Sequence, residues 1–423
     1  MGSTHTLLTP TIIAKEALAI LRNNLVMGTK VHRSYEREFK KIGGSVTIRK
    51  PVKFQVTTGR TRAASTITEQ SITLTVATQN HVSWQFNTAD LTLTIDEYSK
   101  RYIEPAANVL ANTIDADVLS LYKDIYNEVW ESTGFVDPES FIVLGKAGRK
   151  LDEEAAPQMD RCVVLNPAAN WSLANAMKNM YVTDVSKPAL QKGYLARIAN
   201  MEVYMDQNVK VHTTGAFHDS GSTQALQVGL TGGTGIPTTG ATVAGTAAKT
   251  LTLLNFRVAD TQVLKTGDVF EIAGVYAVNP VSGDSTGQLR QFVVTADASC
   301  AATETTSGNA VTVYVEPNLV ATGPYKTIDT FPAAAAAVTV VGNENEPYPI
   351  NLAFHKNAFA LVMVPLQVPA NTWSAVATEA GFSIRVLKDY DIDTDDEIIR
   401  LDVLYGVKTL YPELACRIRG AEG

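Results

Sequence analysis

The sequence predicts an α+β chain interrupted by a small inserted β barrel, and three observations predict it. First, the stretch from Thr94 to Trp130 places Ile103, Ala107, Leu110, Ile114, Val118, Leu121, Ile125 and Val129 at alternating steps of three and four, the spacing of one helix face. Second, the segments on either side alternate or run apolar over short lengths, as strands do. Third, from about Thr213 to Asn345 the chain turns rich in Gly, Thr, Ala and Val and poor in charge, and the mixed pattern resumes at Tyr348.

The first element is a short amphipathic helix. Thr9 is placed to cap it, Pro10 suits its first position, and Ile13, Ala17, Leu21 and Leu25 share a face. That face packs either on its own domain or across a neighbouring subunit. Between Gly43 and Phe86 the pattern alternates, and Ser45–Pro51 and Ile72–Ala77 are expected to pair as a long hairpin. Its tip, Thr57–Gln70, is too polar for a core. Lys50, Lys53, Arg60 and Arg62 there face only Glu69, which suits an arm that orders on a partner.

The long helix follows. Pro105 near its start costs little, and Asp96 and Glu97 favour the positive end of its dipole. Its expected length is roughly 50 Å at about 1.5 Å per residue, with Ile114 and Leu121 packed on strands of the same subunit. Mixed α and β material then runs through Phe141–Leu144, Arg161–Leu165, a helical stretch around Trp171 to Met180, and Met201–Met205.

In the insert, Thr250–Leu254, Asp268–Ile272, Gln291–Thr295, Val311–Val315 and Val338–Val341 read as short strands separated by Gly, Pro, Asn and Ser, enough for a small barrel. Ala333–Ala337 is connection, since Pro332 precedes it and a β run follows. Beyond the insert, Phe359–Val364, Ile398–Tyr405 and Leu414–Ile418 read as strands.

A chain of 423 residues, 45% hydrophobic, suffices for two or three domains. It has no apolar run fit to span a bilayer, and Lys15 and Glu16 interrupt what would be a signal peptide, so a soluble chain is expected to stay where it is made. Cys162, Cys300 and Cys416 are odd in number and far apart, which excludes a disulfide framework and fits a reducing cytoplasm. The net charge is −7, yet residues 1–62 carry twelve Lys and Arg against Glu16, Glu36 and Glu38. Such asymmetry within one chain points to an acidic partner or to the acidic part of another copy.

Catalytic and ligand motifs were sought and excluded. Gly283-Asp-Ser-Thr-Gly287 resembles a serine-protease nucleophile segment, but none of His5, His32, His81, His212, His218 and His355 has a matching context, and the string falls where a turn between strands is expected. Gly232 to Thr250 ends in Lys-Thr without the glycine of a phosphate loop. The acidic run Asp389, Asp391, Asp393, Asp395, Asp396 and Glu397 has no Gly at the sixth position from Asp391 and has Asp402, not Glu, at the twelfth, so it is no calcium loop. Asp391, Asp393, Asp395 and Asp396 are better suited to attract the basic hairpin of a neighbouring copy. No cofactor and no metal is expected.

The order of these parts resembles the major capsid proteins of tailed bacteriophages, and specifically the coat protein family of Salmonella phage P-twenty-two. The strings that carry the similarity are Leu264–Val275 in the insert, Asn351–Asn357 after it and Leu404–Glu413 near the end. The resemblance implies the Hong Kong ninety-seven type capsid fold. Its parts would be an N-arm at 1–42, an E-loop at 43–86, a P-domain with the spine helix at 87–150 and 390–423, an A-domain at 151–222 and 346–389, and an inserted β barrel at 223–345. It also implies a loop of the insert that contacts the neighbouring capsomer, for which Gly232 to Lys249 is the candidate.

The function so implied is structural and not enzymatic. Many copies would form hexamers and pentamers of an icosahedral shell around double-stranded DNA, held loosely because most of the chain is acidic. A scaffolding protein and a portal would be partners, with no membrane, in a virion capsid made and assembled in the bacterial cytoplasm. One alternative is a carbohydrate-binding or hydrolytic protein whose site lies in the insert among Tyr276, Phe292, Tyr314 and Tyr325. Another is a tail-tube or adhesin protein.

Overall fold

In a computed structural model, the structure describes residues 10–35, 44–54, 56, 59–60, 69–87, 99–131, 138, 140–176, 197–217, 226–228, 248–256, 260–300, 309–333, 335–369, 372–391 and 396–420. The chain divides into two compact units. One comprises Met1–Ile48, Ser71–Leu119 and Phe359–Leu410; the other comprises Arg49–Gln70, Ser120–Ala358 and Tyr411–Gly423.

In the first unit, α1 (Pro10–Asn24) buries Ile13, Ala17 and Leu21, and Leu25 is buried just past its end. This stripe lies on α2 (Glu104–Leu119) and on strands Trp373–Glu379 and Phe382–Asp391. The choice left open by the sequence is thereby settled, because an apolar face already buried in its own unit has nothing left to offer a neighbour. Thr9 lies outside the described residues.

Helical structure runs from a π turn at Ser99–Ile103 through α2 to a 3₁₀ turn at Ser120–Asp124. The expected helix from Thr94 to Trp130 is therefore too long. At about 1.5 Å per residue the described part is about 40 Å, and it ends where Ile125 N donates to Tyr122 O at 3.1 Å. Glu128–Val129 is already a strand. Ile103, Ala107, Leu110, Ile114 and Val118 are buried as the spacing predicts, whereas Leu121 is only half-buried. The tighter 3₁₀ turn rotates it off the stripe, and Tyr122 is buried instead. Pro105 occupies the second position of α2, directly after the π turn. Asp96 and Glu97 lie outside the described residues.

Asp115 is a polar member of the buried face of α2, 1% exposed. Its carboxylate accepts from Val26 N at 2.7 Å and Gly28 N at 2.8 Å, so it holds the turn that follows α1. Under both helices lies a five-stranded antiparallel sheet. Asp396–Thr409 runs through its middle, flanked by Phe382–Asp391 and Phe359–Met363 on one side and by Thr78–Asn87 on the other, with Trp373–Glu379 at an edge. Ser45–Arg49 pairs with Ser71–Thr75 as the expected hairpin. Gly406 is required in the central strand because a Cβ there would stand 2.2 Å from the carbonyl oxygen of Thr75.

Among the described residues the second unit holds two six-stranded sheets. In one, Arg161–Leu165, Asn351–His355 and Ala415–Ile418 are central and buried at every position, and Glu128–Val129, Met201–Met205 and Arg197–Ile198 complete it. Helices α3 (Phe141–Glu153) and α4 (Pro167–Ala176) pack their apolar residues into its core. Ser140 caps α3, its side chain accepting from Ile142 N at 3.3 Å, so Phe141–Leu144 opens a helix.

The other sheet is the insert. Six strands follow the order Val338–Val340, Val269–Val278, Ser285–Val294, Asn309–Leu319, Ala248–Phe256, Gln227–Val228. Val338 N donates to Leu226 O at 2.8 Å and Val228 N to Ala336 O at 2.9 Å, which closes the barrel. Phe256, Phe270, Phe292 and Val313 fill it. All five strands read from the sequence are present. Three more, Gln227–Val228, Asp260–Leu264 and Ala298–Cys300, are not read from the sequence; the first and last have too few residues to show a period.

The chain leaves for the barrel along Val211–Thr213 and returns along Pro347–Pro349, and these two strands pair antiparallel. Gly283 takes positive φ, 77°, in the turn between Val269–Val278 and Ser285–Val294, and Gly287, at 72°, lies within the second of these strands.

Phe382–Asp391 and Asp396–Thr409 are the two arms of one hairpin, so no boundary passes between them. Ala415–Ile418 joins the sheet of Arg161–Leu165 in the other unit. Likewise Thr78–Asn87, expected in the E-loop, is a strand of the first unit's sheet.

Candidate functional site

Two oppositely charged surfaces and one buried charge cluster are the groups with chemistry to offer. On the basic surface, Lys50 N donates to Gln70 O at 2.7 Å and so extends the hairpin toward its tip. The Lys50 ammonium sits 5.1 Å from the centre of the Tyr411 ring, and Lys53 N meets the Tyr325 hydroxyl at 3.5 Å. Lys50 and Lys53 thus come together on a cavity of about 270 Å³ that Arg290 and Lys326 also line. Arg60 is exposed, as are Phe54 and Val56. The exposed pair Arg49–Glu69, at 3.2 Å, is screened by solvent and holds little. Arg62 lies outside the described residues.

On the acidic surface, positions 391 and 396 are register partners at the end of the hairpin between Phe382–Asp391 and Asp396–Thr409, with 390 opposite 397 and 389 opposite 398. Asp391 and Asp396 are thereby brought together, and Asp393 and Asp395 lie outside the described residues. The basic and acidic sets belong to different compact units. Among the described residues no group of three or more His, Cys, Asp or Glu side chains is placed to hold a metal ion, and no helix is long and apolar enough to cross a membrane.

The buried cluster is one the sequence reading missed. Glu128, 4% exposed, pairs with Arg417 Nη2 at 2.5 Å and Arg419 Nε at 2.8 Å, and both arginines are 1% exposed. Arg417 Nη1 donates to Gly267 O of the barrel at 2.6 Å, while the Arg419 guanidinium lies 4.4 Å from the Tyr348 ring centre. Gln291 of the barrel accepts from Glu128 N at 2.9 Å and donates to Glu128 O at 3.0 Å. Beside it, Arg290 of the barrel pairs with Glu154 at 2.6 Å and stacks 4.5 Å from the Tyr126 ring centre. The signal was present in the strand Ala415-Cys-Arg-Ile-Arg419, whose charges alternate where a half-buried strand would carry polar residues facing water.

Nothing in this set resembles a reacting centre. His212 is buried, with one ring nitrogen 2.8 Å from Asp268 and the other 3.1 Å from the Tyr122 hydroxyl, so both are engaged. Phe292 is in the barrel core, and Tyr276 and Tyr314 are exposed on separate strands, so the aromatics of the carbohydrate alternative do not converge. The candidate loop Gly232 to Lys249 lies outside the described residues except for its last two positions.

Residues 3–419 match the family model described as P22 coat protein, gene protein 5. The chain belongs to the P22 coat protein family. Within the family's setting it is 31% identical over 112 residues to a protein named major capsid protein from Acyrthosiphon pisum secondary endosymbiont phage 1, and that match spans about a quarter of the relative's length, 26% of each chain. Similar solved structures include a chain of Mycobacterium phage Che8, 13% identical with TM-score 0.47, covering 93% of this chain and 90% of that one. They also include the CUS-3 coat protein I-domain, 30% identical with TM-score 0.19, covering 29% of this chain and 98% of that one.

As a member of the P22 coat protein family, the chain is a phage coat protein, a component of the virion capsid. Its body is α+β with an inserted β barrel.

Proposed function

We propose that many copies of this chain assemble into hexamers and pentamers that close as an icosahedral shell around double-stranded DNA. The observation that carries this reading is the family match over residues 3–419, nearly the whole chain. The structure supplies parts suited to the task. Two compact units act as plates, and the segment Lys50 to Arg60 offers exposed basic and apolar residues to another copy. The acidic positions 391 and 396, register partners at the end of their hairpin, are its natural counterpart, because acids set opposite one another need a counter-charge. Each contact is weak and is multiplied over a closed shell.

A scaffolding protein and a portal are the further partners, assembly takes place in the host cytoplasm, and DNA is held loosely because the chain's net charge is −7. Sedimentation of the purified chain, alone and with its phage's scaffolding protein, tests the reading. Large assemblies are expected in at least one condition; a monomer in both contradicts it.

A further inference from the structure

We propose that Glu128, Arg417 and Arg419 form a charged lock that fixes the orientation of the inserted barrel on the sheet of its own unit. The two chain crossings at Val211–Thr213 and Pro347–Pro349 tether the barrel but run side by side, so alone they leave it free to swing about one axis. Contacts away from that axis must stop the swing. The apolar ones are few, with Tyr126 and Trp130 meeting Val269, Val293 and Val341.

The polar ones are specific and buried. Arg417 reaches Gly267 O at 2.6 Å, Gln291 brackets the backbone of Glu128 at 2.9 and 3.0 Å, and Arg290 reaches Glu154 at 2.6 Å. Buried ion pairs contribute little net stability against apolar packing, but their attraction depends on one arrangement of the partners, and losing one partner strands the other charge in a dry site. Such a set selects an orientation. Arg417 and Arg419 also lie C-terminal to the whole barrel, so the lock is set by chain that follows it in sequence.

A barrel held at one angle presents the same outer face in every copy. The inference concerns the subunit alone and stands whether or not shells form.

Amide hydrogen exchange on the full chain tests the lock, using Glu128→Gln and Arg417→Met beside the parent. The amides of Glu128 and Gly215, which donate to the barrel side chains Gln291 and Asp268, are expected to exchange at least about 100-fold faster in both variants. The amides of Phe292 and Val313 inside the barrel ladders should stay within about threefold of the parent. Uniform loss of protection across the unit would overturn the proposal, and so would no change at Glu128 and Gly215. If a variant does not fold, the parent in rising urea serves: Glu128 and Gly215 should open in a step below that of Phe292 and Val313, and a single common transition would overturn the lock.

Discussion

Ile114→Asp is expected to leave no folded chain at room temperature. Ile114 is 0% exposed on the face of α2 that lies on the strands Thr78–Asn87 and Asp396–Thr409. Removing a buried Ile side chain alone costs about 2–5 kcal/mol. An unpaired carboxylate in its place adds a desolvation cost of several kcal/mol more, and the sum reaches the roughly 5–15 kcal/mol that holds a typical domain. Urea titration followed by far-ultraviolet circular dichroism should show no cooperative transition. Leu121→Asp is the control: half-buried in the 3₁₀ turn, it should lose only about 1–2 kcal/mol and still unfold cooperatively. The opposite ranking would show that the stripe continues through Leu121 as its spacing suggested.

Arg60→Glu is expected to spare the subunit and cripple assembly. The side chain is exposed, so the urea midpoint should move by no more than about 0.5 kcal/mol equivalent. Reversing one charge of a steering pair should slow assembly, read by light scattering at low salt, by about tenfold. Adding Asp396→Lys should recover part of that rate, since the pair would again be opposite in sign. Assembly of Arg60→Glu at the parent rate would remove the basic hairpin from the interface.

Much of this architecture was legible because it rests on periodicity. The faces of α1 and α2 and the five barrel strands read from the sequence bury apolar residues that their spacing names. What the sequence could not show is where a period stops being a helix: Ile125 and Val129 keep the spacing of the α2 stripe and are buried, yet the chain has already left the helix. Strand pairing was hidden for a related reason, since partners such as Thr78–Asn87 and Asp396–Thr409 lie hundreds of residues apart and only the sheet unites them.

For the assembly surfaces, the charge asymmetry singled out two stretches, and the structure brings Lys50 with Lys53 and sets position 391 opposite 396. The buried cluster was opaque because a charged residue in a short strand reads as solvent-facing unless its partner is known. Glu128 is nearly three hundred residues from Arg417.

Electron microscopy of the expressed chain tests the central claim most directly. The account predicts closed, roughly spherical shells of uniform curvature. Open tubes, or dispersed single subunits under every condition tried, would contradict it.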